Sequence, residues 1–147
     1  MPPACRRLFE GNEMKISKII ALADELKPNS LSDEIKVQYV NECEGLIQSE
    51  IALLPASDMI THSADDYDAE TLIRAPHDKI YIAYLTAMID FANGEYNKYA
   101  NTIELFNAYS RELHRWYFAK VHPADLEEEE RKAALDALYD GRTDNEP

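Results

Sequence analysis

Apolar side chains recur at three- and four-residue steps along most of this chain, and that spacing restricts its fold more than any other feature. The clearest run is Ile35, Tyr39, Cys43, Leu46, Ile47, Ile51 and Leu54. Side chains so spaced share one face of a helix, whereas a strand would scatter them over both of its faces. Only four glycines interrupt the 147 residues, which favours long helices over a strand-rich fold with many turns. The expected class is all-α. It is a small bundle of four main helices, with an extended or β-hairpin arm between the second and third and an acidic C-terminal helix. A chain of this length supports one domain with a real core.

Residues 1–13 are expected to be a disordered leader, with amphipathic periodicity beginning at Met14; Met1 and Met14 both stand as candidate starts. Ile19, Ile20, Ala23 and Leu26 mark a first helix, with Ser17 as its candidate N-cap and Lys27-Pro28-Asn29 as its stop. Ser32 is the candidate cap of the second, where Asp33 and Glu34 suit the positive end of the helix dipole. Gly45 costs that helix about 1 kcal/mol relative to alanine unless it permits a close crossing, and Pro55 ends it. Residues 55–75 form the arm. Its short segments Met59–His62 and Glu70–Ile73 flank Asp65-Asp66-Tyr67-Asp68 and read as a loose hairpin or an extended strap, too small to stand alone in water.

A third helix carries Ile80, Tyr81, Tyr84, Leu85, Met88, Ile89 and Ala92, and Asn93-Gly94 offers its stop. The fourth follows at once with Tyr96, Tyr99, Ile103, Phe106, Tyr109, Leu113 and Trp116-Tyr117. The junction is either a tight turn or a kink in one long helix. Residues 119–147 form the acidic tail, in which Leu126, Ala134 and Leu138 make only a narrow stripe behind Glu127–Glu130.

The formal charge is −13, unevenly spread. The leader and residues 79–118 are neutral, residues 14–54 carry −3, and the arm region 55–78 and the tail carry −5 each. Non-specific nucleic-acid binding needs a basic footprint, and Lys79, Lys98, Arg111 and Arg115 allow only a small one. An anionic membrane surface is disfavoured for the same reason, and no apolar run has the roughly 18 residues of a membrane span. Cys5 and Cys43 form no CxxC pair, so a reducing, cytosolic compartment is the default.

No constellation supports catalysis, and the expectation is a protein that is not an enzyme, with no cofactor and no metal. His62, His77, His114 and His122 lack metal-ligand spacing, with His114 expected on a helix surface. Asp66, Asp68 and Glu70 alternate as calcium ligands do, but the sixth loop position is Thr71 and the twelfth is His77. Glu42 and Glu44 do not share a helical face, and the paired acidic motifs of helical nucleotide pyrophosphohydrolases are missing. Asp90, between Ile89 and Phe91 on the most apolar helix, is the acid to watch. Its expected role is structural, because a buried carboxylate must be paired.

Six of the nine tyrosines and the one tryptophan fall between Tyr81 and Tyr117. They spread over more than one narrow face, so part of the set belongs to the core and part is left for partners, a use that suits tyrosine. If Trp116 is core, its replacement by alanine costs roughly 3–5 kcal/mol.

Pro76-His77-Asp78-Lys79-Ile80-Tyr81, Tyr84-Leu85-x-Ala87-Met88-Ile89-Asp90-Phe91-x-Asn93-Gly94-Glu95-Tyr96, Tyr99-x-Asn101-Thr102, Phe106-Asn107-x-Tyr109 and Arg115-Trp116-Tyr117 together form a pattern. Upstream it includes Leu26-Lys27-Pro28-Asn29 and Asn41-Glu42-x-Glu44-Gly45-Leu46-Ile47-x-x-Glu50. Over residues 14–118 the pattern resembles a family of small virion proteins of tailed bacteriophages and prophages of Gram-positive hosts, best described as head–tail connector (head completion or adaptor) proteins. The resemblance implies a helical connector-like domain that forms a homo-oligomeric ring, commonly of about twelve subunits. The ring would sit in the virion neck, assembled in the host cytoplasm, against the portal protein on one side and a stopper or tail completion protein on the other. DNA would be passing cargo, and an acidic channel would let it slide. On this resemblance and the aromatic spacing, the candidate interface residues are Tyr67, Tyr81, Tyr96, Tyr99, Asn101, Phe106, Tyr109, Trp116 and Tyr117. The alternatives are another phage assembly factor, such as a tail completion protein or tail-assembly chaperone, or a small acidic regulatory binding protein.

Overall fold

In a computed structural model that describes residues 13–121, four helices pack around one core: α1 (Ile16–Leu26), α2 (Asp33–Leu46), α3 (Lys79–Ala92) and α4 (Tyr96–Trp116). Residues 1–12 of the expected leader and residues 122–147 of the expected tail, with its helix, lie outside the described residues, while Glu13 falls in a strand and residues 119–121 in a π-helical turn that continues α4. Two short strands, β1 (Glu13–Lys15) and β2 (Glu70–Arg74), complete the fold. Helix α3 is the central element and packs against α1, α2 and α4. It buries Ile80, Tyr81, Ala83, Leu85, Ala87 and Ile89 together with the polar Thr86 and Asp90. Among the described residues no helix is long and apolar enough to cross a membrane.

Local chemistry explains most of the boundaries. The Ser32 hydroxyl accepts a bond from the Ile35 amide at 3.4 Å and caps α2, and Asp33 and Glu34 occupy the first turn. Helix α1 begins one residue before the expected Ser17 cap and has no side-chain cap at all. Its first amides, Ile16 and Ser17, instead donate to the carbonyls of Ala69 and Tyr67 at 3.0 and 2.9 Å. The arm's own backbone therefore satisfies the helix terminus. Beyond α2 the chain widens into a π-helical turn, Ile47–Ile51, and leaves it through Leu53, whose φ of 54° is left-handed. The helix thus stops before Pro55, which opens a short 3-10 turn over Ala56–Asp58. The Asn93-Gly94 junction is a tight turn, not a kink; Gly94 has a φ of 74°, a conformation that costs glycine nothing. Gly45 permits no close crossing, since the nearest atom to an added Cβ would be the Met59 Cε at 4.0 Å.

The arm is extended, and its strand pairs with a segment other than the expected one. β2 runs antiparallel to β1, with Glu13 opposite Arg74 and Lys15 opposite Glu70, instead of pairing with Met59–His62. The orientation of α2 also departs from its apolar spacing. Val37, Val40, Cys43, Ile47 and Ile51 face the core, while Ile35 and Leu46 are about 40% exposed, at 39% and 40%. Lys36, Glu44 and Gln48 are buried in their place.

Candidate functional site

Asn41 and Glu44 on α2 and Gln48 on the π-helical turn that continues it lie at steps of three and four and so line one face. That face forms a polar seam along which the arm is held. The Asn41 amide donates to the His62 carbonyl at 2.6 Å and accepts from the His62 amide at 2.8 Å. Gln48 repeats the clasp on Ile60, donating to its carbonyl at 2.9 Å and accepting from its amide at 2.7 Å. Each side-chain amide thus pairs with the arm's backbone as a neighbouring strand would. Between the two clasps sits Glu44, wholly buried. Its Oε1 accepts from the Leu72 amide at 2.8 Å and the Tyr81 hydroxyl at 2.6 Å, and that hydroxyl accepts from the Ile73 amide at 3.0 Å. Burial beside the Glu44 carboxylate pushes the Tyr81 phenol well above its ordinary pKa. On the outer side of α2, Tyr84 donates to Glu42 at 3.0 Å.

Asp90 is 1% exposed and has the structural role expected of it. Its Oδ2 accepts from Lys27 Nζ at 3.0 Å and from the Thr102 hydroxyl at 2.8 Å, and its carbonyl accepts from the Glu95 amide at 2.9 Å. One residue of α3 thereby ties together the end of α1, the turn into α4 and the first part of α4.

The expected interface residues divide by burial. Tyr81 and Tyr117 are 0% and 1% exposed and Phe106 is 9% exposed, so all three belong to the monomer's own core. Phe106 meets Tyr84 edge-on at 5.0 Å. Tyr67, Tyr99, Tyr109 and Trp116 are half-buried, and Asn101 is exposed on α4. Tyr109 lies under Lys79, whose ammonium is 4.4 Å from the ring centre, and Trp116 packs on His77 at 4.9 Å. Because Trp116 keeps part of its surface in water, Trp116→Ala should cost about 2 kcal/mol in urea unfolding, below the 3–5 expected of full burial.

Tyr96, 62% exposed, and Phe91, 52% exposed, do come together at the α3–α4 turn. The Phe91 ring meets Tyr96 at 5.6 Å and Tyr99 at 5.3 Å, both edge-on. Phe91 was not singled out from the sequence, although its position one residue beyond the buried Asp90 on an apolar helix was the available signal. Leu26, 63% exposed, lies at the same end of the bundle, where Asn93 bonds the Pro28 carbonyl at 3.5 Å.

The remaining candidates from the sequence are accounted for locally. Among the described residues no three His, Cys, Asp or Glu side chains gather as a metal-binding group. Asp66 accepts from the Ser63 amide at 2.8 Å and Asp65 from the Ser63 hydroxyl at 2.9 Å, which makes that acidic stretch a hydrogen-bonded turn. Cys43 is buried, which raises its thiol well above the ordinary range and leaves it unreactive. His114 is half-buried instead of fully exposed: it stacks on Phe118 at 5.2 Å, and burial lowers its pKa. His122 lies outside the described residues. Of the four cations in residues 79–118, Lys79 pairs with Glu112 at 2.9 Å and Lys98 with Glu95 at 2.6 Å, which reduces the basic surface further.

Comparisons of the chain with protein-family models, with curated proteins and with solved structures produced no match.

Proposed function

We propose that this protein is a non-catalytic structural subunit of a tailed-phage neck, assembling as a ring between the capsid portal and the tail. The observation that carries the reading is the exposed Phe91–Tyr96 pair, backed by the half-buried Tyr99 and presented on a turn that Asp90 fixes from three sides. Exposed aromatics on a rigid element form an interface anchor at small entropic cost. The resemblance over residues 14–118 supplies the class of assembly. The acids of the arm, most of them exposed, supply a surface that repels DNA in transit. A ring requires a heterologous contact, in which this patch meets a different surface of the next subunit.

Electron microscopy of the purified protein, with and without portal, tests the proposal. Ring particles seated on the portal are the expected result, and a monomer indifferent to the portal overturns it. The paired change Phe91→Ser and Tyr96→Ser should leave the helical circular dichroism unchanged. Self-association should weaken roughly 30-fold or more, the effect of a hot-spot contribution of about 2 kcal/mol.

A further inference from the structure

The buried Glu44 carboxylate makes both of its hydrogen bonds through Oε1, and Oε2 has no partner. The atom facing Oε2, at 3.8 Å, is Nε2 of His62, which also lacks a partner. Two unpaired buried polar atoms of complementary chemistry, aimed at each other just beyond bonding distance, are a costly arrangement unless something completes it. The two residues belong to different parts of the fold. Glu44 is on α2 and grips the arm at Leu72; His62 is in the arm itself, its backbone clasped by Asn41. His62 also borders a cleft of about 360 Å³ lined by Glu34, Ile35, Gln38, Asn41 and Ala64, which gives solvent protons a route to the ring.

We propose that His62 and Glu44 form a proton-operated latch on the arm: protonated His62 closes onto the buried Glu44 carboxylate and clamps residues 59–72 to α2, and loss of that proton loosens them. His62 is the cation placed opposite Glu44, at 3.8 Å, while Lys36 on the same helix is engaged with Asp24 at 2.7 Å and with Asp33. A charged imidazole shortens the contact to a charge-assisted hydrogen bond and neutralises an otherwise lone buried charge. The groups around the ring favour that state. Glu44 faces it from α2 and Asp66 lies near it in the arm, while Glu34 lines the same cleft without being among the charges that act on the ring; on the far side of Glu44, Tyr81 of α3 is neutral. The Glu44 carboxylate, and with it Asp66, raises the His62 pKa against the opposing effect of burial.

The direction follows from linkage. The docked arm binds the His62 proton more tightly than the released arm, so the contribution is fully present below the ordinary histidine value, about pH 6.5. It is lost as pH rises through the higher midpoint of the docked form. The latch is closed below about pH 6.5 and loosens as pH rises through the docked midpoint. This device requires no particular partner and does not depend on the neck assignment.

Amide hydrogen exchange by NMR on the full chain, corrected for intrinsic rates, tests it between about pH 5.5 and 8.5. Protection of the Ile60, His62 and Leu72 amides should fall as pH rises, while α3 amides stay constant. The fall should be roughly tenfold for each pH unit by which the His62 midpoint exceeds 6.5. In His62→Gln the three amides should be less protected at low pH and lose their pH dependence. The His62 ring resonances of the unaltered protein give an independent reading, with a midpoint above 6.5 expected. A midpoint at or below 6.5, arm protection that follows α3 at every pH, or a pH dependence that survives in His62→Gln would each overturn the latch.

Discussion

Glu44→Ala is expected to destabilise the protein by about 3–5 kcal/mol in urea unfolding, a large part of the stability of a domain this size. The substitution strands the part-buried Leu72 amide and the buried Tyr81 hydroxyl, both of which donate to Glu44 Oε1. Each buried donor left without an acceptor costs about 1–3 kcal/mol. The cavity left by the side chain adds to this, because Glu44 is wholly enclosed. Glu44→Gln keeps an acceptor in place and should cost only about 1–2 kcal/mol. Tyr81→Phe removes the other half of the contact and should cost about 1–3 kcal/mol, since it also deprives the Ile73 amide of its acceptor. The two changes share one hydrogen bond, so the double variant Glu44→Ala/Tyr81→Phe should cost less than the sum by about 1 kcal/mol or more. Strict additivity would show that Glu44 acts through packing alone.

The second large effect is expected at Asp90. Asp90→Ala removes the acceptor for Lys27 and Thr102 and should destabilise the fold by about 2–3 kcal/mol. This is below the 3–5 kcal/mol typical of breaking a fully buried pair, because the Lys27 side chain is 29% exposed and its ammonium can return to water. The effect should be local as well as global. Amides of the α3–α4 turn should lose protection first, since Asp90 holds both α4 and the end of α1 against that turn. If the Phe91–Tyr96 patch is an assembly contact, Asp90→Asn should weaken assembly more than it weakens folding, because it loosens the platform without touching the aromatic rings.

Several features of the fold were legible in the sequence for reasons that are local. The periodicity at three and four residues placed four helices, Ser32 capped the second of them, and Asn93-Gly94 turned the chain between the third and fourth. Asp90 was recognisable as a structural acid because a carboxylate flanked by Ile89 and Phe91 has few other fates. The rotation of α2 was legible only in part. The expected face of Ile35, Tyr39, Cys43, Leu46, Ile47, Ile51 and Leu54 holds at Cys43, Ile47 and Ile51, but Ile35 and Leu46 are exposed and the polar Lys36, Glu44 and Gln48 are buried beside Val37 and Val40. Apolar spacing identifies a core face only when the core is apolar. These three polar side chains are buried because each finds a specific partner in a distant segment: Asp24, the amide of Leu72 and the backbone of Ile60. The pairing of β2 was hidden for a related reason. Residues 13–15 are too few to carry a strand signature, and the segment from 59 to 62 had the better composition.

The candidate site divides in the same way. That the region from Tyr81 to Tyr117 is rich in aromatics is plain from the sequence, but the division of those rings between core and surface belongs to the tertiary structure. Tyr81 and Tyr117 are interior, while Tyr96 stays exposed beside Phe91. By itself the sequence determined the helical class, the helix ends set by local caps and turns, and the concentration of acid in the arm and tail, all of which rest on interactions within a few residues. Only the tertiary structure decided which polar residues of α2 lie inside, what the arm binds and which aromatics remain outside. Those outcomes depend on hydrogen-bond partners 12 to 57 residues apart in the chain, and no local pattern encodes such a partner.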